Sequence, residues 1–250
     1  MKVSIVLPYF NHWNLAHARM MELFKYAPLD TEIVMVNDAS TDPECRKGAG
    51  WWQKRAGRHE IKYVENKINL GFGGSHNAGA SVATGDILCF LSNDVVVRTN
   101  FVDNVSTSLL ETPYALLGGE IIYWPAGWNQ FEFDGHKMVI PYCNGWLLAC
   151  TREVWDNMGG FDVETYGKFD FEDIDLSTNA LSRGYDLLSL NLPKHVLHHL
   201  SGVTIRSLGI DRMKITKENK EKFISKWQPK FLDIFETLEK MEHDGSEASE

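Results

Sequence analysis

The sequence predicts an α/β protein with a mixed, mainly parallel sheet flanked by helices on both faces. Apolar segments of strand length alternate with segments of helical spacing through the first 111 residues. The strand segments are continuously apolar, as strands of a parallel sheet are when helices cover both faces. Regular alternation of strand and helix favours crossover connections between parallel strands. With 250 residues, of which 44% are hydrophobic, the chain can form one large domain with a small appendage.

The first half of the chain contains four predicted strands and four predicted helices. Pro8 stops the first strand, and Asp42 followed by Pro43 is a typical helix start, with a capping side chain and proline at the first position. The predicted strands span residues 3–7, 32–36, 61–65 and 86–91, and the predicted helices lie at 14–26, from 42 onward, at 73–83 and at 100–111.

The second half is less regular. Strands are expected at 115–123, 139–150 and 186–190, a helix at 172–183, and a loop or hairpin excursion at 124–137. An amphipathic helical tail over 216–242 should be interrupted at Pro229. The resulting domain prediction is a main domain at 1–214, a helical extension packed on it at 215–243 and a frayed acidic tail at 244–250.

Composition excludes some classes of partner. A net charge of −9 argues against an extended nucleic-acid footprint, which needs clustered basic residues, and weakly against docking on anionic lipid. No apolar run is long enough to cross a membrane, so we expect a cytoplasmic protein, acting at a membrane only from its surface. Four cysteines without a C-x-x-C pair predict buried free thiols, with zinc or disulfide as alternatives.

Ligands of such sheets sit outside the carboxyl ends of the strands, where two acids stand out. Asp38 follows the second strand in a turn-like segment, and its carboxylate could accept bonds from a base or ribose or simply cap a turn. Asp94 lies between two apolar runs, where an acid is costly to bury unless paired or bound to a cation. Mg²⁺ or Mn²⁺ would suit it, while a turn acid is the alternative.

A glycine-dense segment at 69–79 precedes a predicted helix. Glycine permits close backbone approach to a ligand, and a helix N-terminus favours phosphate. The segment lacks the Gly-Lys-Ser/Thr of a Walker loop, and it does not have the position or spacing of a dinucleotide fingerprint. Taken alone, this segment therefore does not identify a ligand.

Four acids fall within six positions at 170–175, interleaved with aromatic and apolar residues. Acids in the first turn of a helix suit its dipole, yet a carboxylate in a half-apolar setting can also serve as a general base. His198 and His199 end a short apolar run and could complete a metal site, or pack as ordinary histidines.

In this order the motifs resemble the family 2 glycosyltransferases, inverting enzymes of the GT-A fold, of the rhamnosyltransferase-like or cell-surface polysaccharide type. The resemblance covers roughly residues 3–230 and rests on six ordered segments: residues 3–11, 36–40, 69–79, 85–94, 159–162 and 172–175, with the late histidines and Phe223–Trp227 also fitting.

The resemblance implies a role for each matching position. Asp173 would be the catalytic base, with Glu172 beside it positioning acceptor or base. Metal would be held by Asp94 and by His198 or His199. Residues along the nucleotide sugar would be Pro8, Tyr9, Asn11, Asp38, Asn69, Gly71, Gly74, Asn77 and Asn93.

The implied reaction moves a hexosyl, N-acetylhexosaminyl or rhamnosyl group from a UDP- or dTDP-sugar to a hydroxyl of a glycan or lipid-linked glycan, with Mn²⁺ or Mg²⁺ as cofactor, in glycan or polysaccharide assembly. The metal motif departs from the family pattern, because Ser92-Asn93-Asp94 lacks the first acid. A catalytically degenerate sugar-nucleotide-binding scaffold is therefore the alternative. A nucleotidyltransferase is disfavoured because no Arg or Lys follows the first strand at 8–13.

The sequence indicates less about how an acceptor would bind. Aromatic residues concentrate in one excursion: Tyr123, Trp124, Trp128, Phe131 and Phe133. They could stack on a sugar or a lipid-linked acceptor, or form a small satellite core, which is the favoured interpretation. The tail helix carries mixed charges, which favours packing on the domain or a homodimer over membrane docking.

Overall fold

A seven-stranded sheet forms the centre of the computed structural model, which describes residues 1–55, 57, 59–133, 135–200, 211–232 and 234. Its strands are β1 (Val3–Tyr9), β2 (Glu32–Asn37), β3 (Glu60–Glu65), β4 (Ile87–Leu91), β6 (Ala115–Gly118), β11 (Leu147–Thr151) and β12 (Asp186–Ser189). Their order is β12-β6-β11-β4-β1-β2-β3, and only β11 runs antiparallel to its neighbours. The predicted mixed, mainly parallel sheet is confirmed.

Helices cover both faces of this sheet. They are α1 (Trp13–Tyr26), α2 (Pro43–Lys54), α3 (Gly71–Val82), α4 (Val102–Glu111), α5 (Arg152–Met158), α6 (Val163–Tyr166), α7 (Glu172–Ser182) and α8 (Arg212–Trp227). Alternate residues of β1 pack into two different cores: Val6 joins the one that contains Phe90, whereas Ile5 and Leu7 join the one that contains Met20. A continuously apolar strand sequence is thus explained by burial on both faces.

Small two-stranded sheets lie outside the main sheet in the described residues. They are β7 (Ile121–Ile122) with β10 (Tyr142–Cys143), β5 (Val95–Val97) with β13 (Leu197–His199), and β8 (Gln130–Phe133) with β9 (His136–Val139). The predictions of one continuous strand at 115–123 and another at 139–150 were wrong, because each range is broken into shorter strands. The chain leaves the main sheet after Gly118 and returns to it at Leu147; between β10 and β11 the Asn144 N–H donates to the Glu120 carbonyl and the Gly145 N–H donates to Asp173 of α7.

The excursion at 124–137 contains the hairpin β8–β9, one of the two predicted forms. Phe131 and Phe133 are buried there, and the Phe131 ring stacks on Phe223 of α8 at 4.5 Å between centroids. These two aromatic residues therefore belong to the large core that contains Phe90, and the predicted separate satellite core is wrong; Tyr123, Trp124 and Trp128 stay exposed.

Helix α8 packs on the domain through Asn219, Phe223 and Trp227. It begins at Arg212 instead of the predicted 216, because the Asp211 side chain accepts a bond from the Lys214 backbone N–H. The predicted boundary after 214 thus falls inside this helix. The helix ends at Trp227, and a 3₁₀ turn at Gln228–Lys230 contains Pro229, which confirms the interruption. The predicted tail at 244–250 lies outside the described residues.

Two further expectations concern cysteine and membrane. All four cysteines are free and buried, as expected. Within the described ranges, no helix combines the length and the apolar character that crossing a bilayer would require.

Candidate active site

A cavity of about 1030 Å³ opens at the carboxyl ends of β1, β2 and β4. That volume lies at the upper end of the range usual for small-molecule sites, enough for a ligand larger than a single sugar. The residues that line it come from many parts of the chain: residues 8–10, Asp38, Asn69, Gly71, Phe72, Ser75, His76, residues 92–94, Glu120, Gly127, Trp128, Tyr142, residues 144–146, residues 169–174, His199, Arg212, Met213, Thr216, Lys217 and Lys220.

Asp38 anchors the glycine-rich segment to the end of β2. Its Oδ1 accepts from the Leu70 backbone N–H and from Asn66 Nδ2, both at 2.8 Å, and its Oδ2 accepts from the Gly71 N–H at 3.0 Å. Gly71 has φ +75° and could not carry a side chain, because a Cβ would lie 2.4 Å from the Lys168 carbonyl oxygen. The start of α3 is therefore fixed between Asp38 and the backbone of Lys168. Asn69, Gly71 and Ser75 line the cavity there.

Asp94 and His199 meet at the next strand end. Strand β13 pairs with β5 so that His199 lies opposite Val95, and His199 Nε2 comes within 3.4 Å of Asp94 Oδ1. The Trp146 ring stacks on the imidazole at 5.7 Å between centroids and an angle of 19°. An oxygen and a nitrogen ligand are thereby presented side by side, a pair that suits a divalent cation such as Mn²⁺.

A buried arginine lies behind this pair. The Arg19 guanidinium on α1 donates to the Val95 backbone carbonyl and to Glu22 Oε1, and Glu22 Oε2 accepts from the Val97 N–H at 2.7 Å. Burial lowers the pKa of Arg19, while the charges of Glu22 and Asp94 oppose that shift. Arg19 therefore holds β5 in place and offsets part of the negative charge of Asp94.

Asp173 and Glu172, adjacent residues at the start of α7, differ in hydrogen bonding. Asp173 Oδ2 accepts from the Gly145 N–H at 3.0 Å and Oδ1 from the Ile174 N–H at 2.9 Å. Burial raises the pKa of Asp173 to about 6 against these two bonds, which lower it. Burial raises the pKa of Glu172 to about 8, and its Oε1 has no partner among the described residues.

These values assign opposite protonation states near pH 7. Asp173 is mostly ionised and can accept a proton, whereas Glu172 is mostly protonated and can donate a hydrogen bond. Two acids in contact with one cavity, with pKa values pushed apart, are the arrangement expected of a proton-transfer site.

Helix α8 closes the cavity opposite the sheet. Arg212 forms a bidentate ion pair with Asp170, with Nη2 to Oδ1 at 2.6 Å, and Thr216 donates to Asp170 Oδ2 at 2.7 Å. Asn219 Nδ2 donates to the carbonyls of residues 166, 169 and 170. This clamp supports Asp170 and Phe171, both of which have positive φ, so it fixes the entry into α7.

A second aromatic surface lies beside the acids. Trp128 Nε1 donates to Tyr142 Oη at 2.7 Å, which fixes the indole although the residue is 48% exposed. Burial and, next, the negative charge of Asp173 raise the pKa of Tyr142. Both residues line the cavity, and Gly145, three residues after Tyr142, donates its N–H to Asp173. The exposed indole of Trp128 is thus fixed by its hydrogen bond to Tyr142, in the same cavity as Asp173.

Ten of the fourteen predicted site residues line the cavity: Pro8, Tyr9, Asp38, Asn69, Gly71, Asn93, Asp94, Glu172, Asp173 and His199. The structure does not bring the other four into its lining. Asn11 Oδ1 accepts from the N–H groups of Thr41 and Asp42 and so closes a loop. Asn77 exchanges two hydrogen bonds with the backbone of Phe161.

The remaining two of those four are Gly74 and His198. Gly74 allows close packing, because a Cβ there would lie 2.6 Å from Leu70 Cβ. Between the two histidines, the structure places His199 in the cavity lining and leaves His198 outside it, since neighbouring strand residues point to opposite faces.

Several cavity residues escaped the sequence analysis. Trp146 and Arg212 carried no local signal, because each acts through a partner distant in sequence. His76 offered one: it stands in the glycine-rich segment, just before Asn77. Its ring is buried between aromatic residues, which lowers its pKa to about 3, and Nδ1 lies 2.9 Å from the Phe72 carbonyl oxygen.

With this geometry in view, comparison with known proteins gives the class. Residues 4–162 match the family described as glycosyl transferase family 2. The chain therefore belongs to glycosyl transferase family 2, and its fold is the GT-A fold of that family.

Individual relatives are more distant. The chain is 24% identical over 164 residues to the glycosyltransferase GlyA of Streptococcus pneumoniae, covering 64% of this chain and 21% of GlyA. It is 23% identical over 121 residues to a glucosyl-dolichyl phosphate glucuronosyltransferase of Haloferax volcanii, covering 42% and 39%. The chain spans about half or less of the length of the curated relatives it matches.

A solved structure supports the fold. The mannosyltransferase PcManGT from Pyrobaculum calidifontis, solved with GDP-Man and Mn²⁺, superposes with a TM-score of 0.60 at 18% identity, covering 78% of this chain and 55% of that one.

Proposed function

We propose that this chain is an inverting glycosyltransferase that moves a sugar from a nucleoside-diphosphate sugar to an acceptor hydroxyl in glycan or polysaccharide assembly. Membership of family 2 supports sugar transfer. The observation that carries the proposal is that Asp94, His199, Asp173 and Glu172 line one cavity, in which burial raises the pKa of Asp173 to about 6 and that of Glu172 to about 8. Hexosyl, N-acetylhexosaminyl and rhamnosyl donors all remain candidates, on UDP or dTDP, and PcManGT adds GDP-sugars to the set to be screened.

The donor would lie along the strand ends. The nucleoside would occupy the side formed by Pro8, Tyr9 and Asp38, next to Asn69 and Gly71. Asp38 would act there mainly by holding the Leu70 and Gly71 N–H groups in position, since its own oxygens already accept three bonds.

A divalent cation fits the donor set at Asp94 and His199. No cluster of three or more acidic, His or Cys ligands exists among the described residues, so diphosphate oxygens would supply the rest of the coordination. This agrees with the missing first acid of the metal motif, and with Mn²⁺ beside a nucleotide sugar in PcManGT. The cation would neutralise charge that builds on the diphosphate leaving group.

The chemical step assigned to the chain is a proton transfer with displacement. Asp173 takes the proton of the acceptor hydroxyl while that oxygen bonds to the anomeric carbon, and the bond from that carbon to the diphosphate oxygen breaks. Attack from the face opposite the leaving group inverts the configuration. The two backbone N–H bonds hold the carboxylate in place, and the protonated Glu172 donates a hydrogen bond to a substrate oxygen.

The test is a screen of the purified chain against UDP-, dTDP- and GDP-sugars by thermal shift and donor hydrolysis, with Mn²⁺, Mg²⁺ or EDTA. We expect one nucleotide family to stabilise the protein in a metal-dependent manner, and Asp94→Ala to remove that effect. Stabilisation without hydrolysis or transfer would favour the scaffold alternative. Absence of any shift with every nucleotide would refute the donor site.

Asp173→Asn separates the base from binding. We expect it to lower transfer by about 10²- to 10⁴-fold, the range for a positioned general base, with the nucleotide shift retained. Turnover at the wild-type rate in this variant would show that another group is the base.

A further inference from the structure

The basic and acidic side chains of helix α8 are distributed unevenly around the helix. The cavity-lining side carries Arg212, Lys217 and Lys220 and no acid, whereas both glutamates of the helix, Glu218 and Glu221, are absent from the lining. In a chain of net charge −9, three cations on one wall of a cavity are a local exception to the overall balance. Such a wall attracts an anionic ligand.

Of these three cations, Arg212 is the one that an acid neutralises among the described residues. Arg212 is paired with Asp170. Neither Lys217 nor Lys220 has a carboxylate within salt-bridge distance among the residues that the structure describes. Within the part of the chain that the structure describes, two lysines of the cavity lining therefore have no carboxylate partner.

The position of Lys220 indicates which end of the cavity these charges serve. Lys220 Nζ donates to the Gly127 carbonyl at 3.0 Å and lies 5.3 Å from the centre of the Phe131 ring. It therefore adjoins the segment that carries the exposed Trp128, whereas the Asp94–His199 pair is formed by other segments, after β4 and in β13. The metal and diphosphate would lie at that pair, so the lysines adjoin the acceptor end.

The neighbouring groups suit a sugar. Trp128 offers an exposed indole face, fixed through Tyr142, and Tyr142 lies close enough to Asp173 to feel its charge. A sugar ring on Trp128 could therefore place a hydroxyl at Asp173 and present a substituent to α8. Resting on the proposed function, we propose that the acceptor is an anionic glycan, whose phosphate or carboxylate group is bound by Lys217 and Lys220 while its sugar ring stacks on Trp128.

The experiment measures binding of small acceptor probes by thermal shift, with and without the nucleoside diphosphate identified in the donor screen. The nucleotide fills the diphosphate site, so that anions report on α8. The probes are glucose, glucose 6-phosphate, glucuronate and an octyl phosphodiester of glucose, the last representing a lipid-linked acceptor. Charged probes should bind at least about tenfold more tightly than glucose, the factor expected for a charge-assisted hydrogen bond.

Matched variants assign the effect to these lysines. Lys217→Met and Lys220→Met should each reduce the preference for the charged probes about tenfold. Lys220→Arg, which keeps the positive charge, should retain most of that preference. Lys214→Met is the control, because Lys214 lies on the same helix outside the cavity lining, with only a 3.9 Å contact to Glu218. A preference confined to the octyl diester would identify a lipid-linked phosphate as the source, and one for glucose 6-phosphate or glucuronate an anionic glycan chain.

Two results would overturn the proposal. One is equal binding of charged and uncharged probes to the wild type. The other is loss of the nucleotide shift itself in both lysine variants, which would assign the lysines to the donor diphosphate. A lysine-dependent preference for charged probes in a protein that binds no nucleotide would instead refute the proposed function and keep the anion site, so the two failures are distinguishable.

Discussion

Replacing Glu172 by glutamine should change how stability depends on pH. Glutamine has nearly the shape of a protonated glutamate but cannot ionise. In the wild type, burial raises the pKa of Glu172 to about 8, above the ordinary value of 4.5. The folded state therefore holds this proton more tightly than the unfolded state, and the associated stability is complete below pH 4.5 and lost as pH rises through 8.

The magnitude follows from that interval. A shift of about 3.5 pKa units at about 1.4 kcal/mol per unit gives a loss of roughly 5 kcal/mol across the window, as an upper bound. The Asp173 carboxyl, with its pKa raised to about 6, adds a loss of the same sign between pH 4 and 6, but it is common to both proteins. The difference between wild type and Glu172→Gln therefore isolates Glu172.

Urea denaturation at pH 5 and at pH 9, in EDTA and without nucleotide, measures this difference. We expect the two proteins to be similarly stable at pH 5 and Glu172→Gln to be more stable by several kcal/mol at pH 9. Glu221→Gln, an exposed position on α8, is the control and should follow the wild type. If Glu172→Gln lost stability with pH as steeply as the wild type, Glu172 would be ionised in the folded protein and our assignment would be wrong.

Three further changes test the scaffold and the reaction. Asp38→Ala leaves the N–H groups of Leu70 and Gly71 without their acceptor. Chemical denaturation should therefore show a loss of about 2–4 kcal/mol in the free energy of unfolding, and nucleotide binding should weaken. Unchanged nucleotide affinity would contradict the anchoring role. Asp175→Ala removes the acceptor of Tyr166 and Trp227 and should cost about 3–5 kcal/mol; a cost below 1 kcal/mol would refute the buried network. Transfer by the wild type should fall below pH 6 and again above pH 8, as Asp173 gains and Glu172 loses its proton, and a flat profile from 5 to 9 would exclude both assignments.

Local sequence signals were sufficient for residues whose position depends on one strand end. Asp38 and Asp94 follow apolar strands, and in a parallel sheet all such ends meet at one edge, so their approach to one cavity could be predicted. The acidic segment at 170–175 could be predicted because its acids are interleaved with aromatic residues, whereas the choice of Asp173 within it came from the family resemblance. The strand and helix order of the first half is confirmed for the same reason, since periodicity is a local property.

Signals that depend on long-range contacts could not be interpreted in this way. An asparagine side chain carries a donor and an acceptor, so it closes a loop as readily as it binds a ligand. Asn11 does the former and Asn77 bonds the backbone of Phe161, although both stand in motif positions. The choice between His198 and His199 depends on the register of β13 against β5, about 100 residues away in sequence. Arg212 acts through Asp170, 42 residues earlier.

Helix α8 therefore does more than cover the domain. Four acids at 170–175 would repel one another in a half-buried site, yet Arg212 pairs with Asp170 and Lys226 with Asp175. With the two outer acids paired, the inner two respond to local bonding: Asp173 receives two backbone N–H groups and stays ionised near neutral pH, whereas Glu172 Oε1 receives none. Arg212 and Lys226 thus link α8 to the acids at the start of α7, and in our proposal the same helix presents Lys217 and Lys220 to the acceptor, so acceptor binding and proton transfer would both depend on α8.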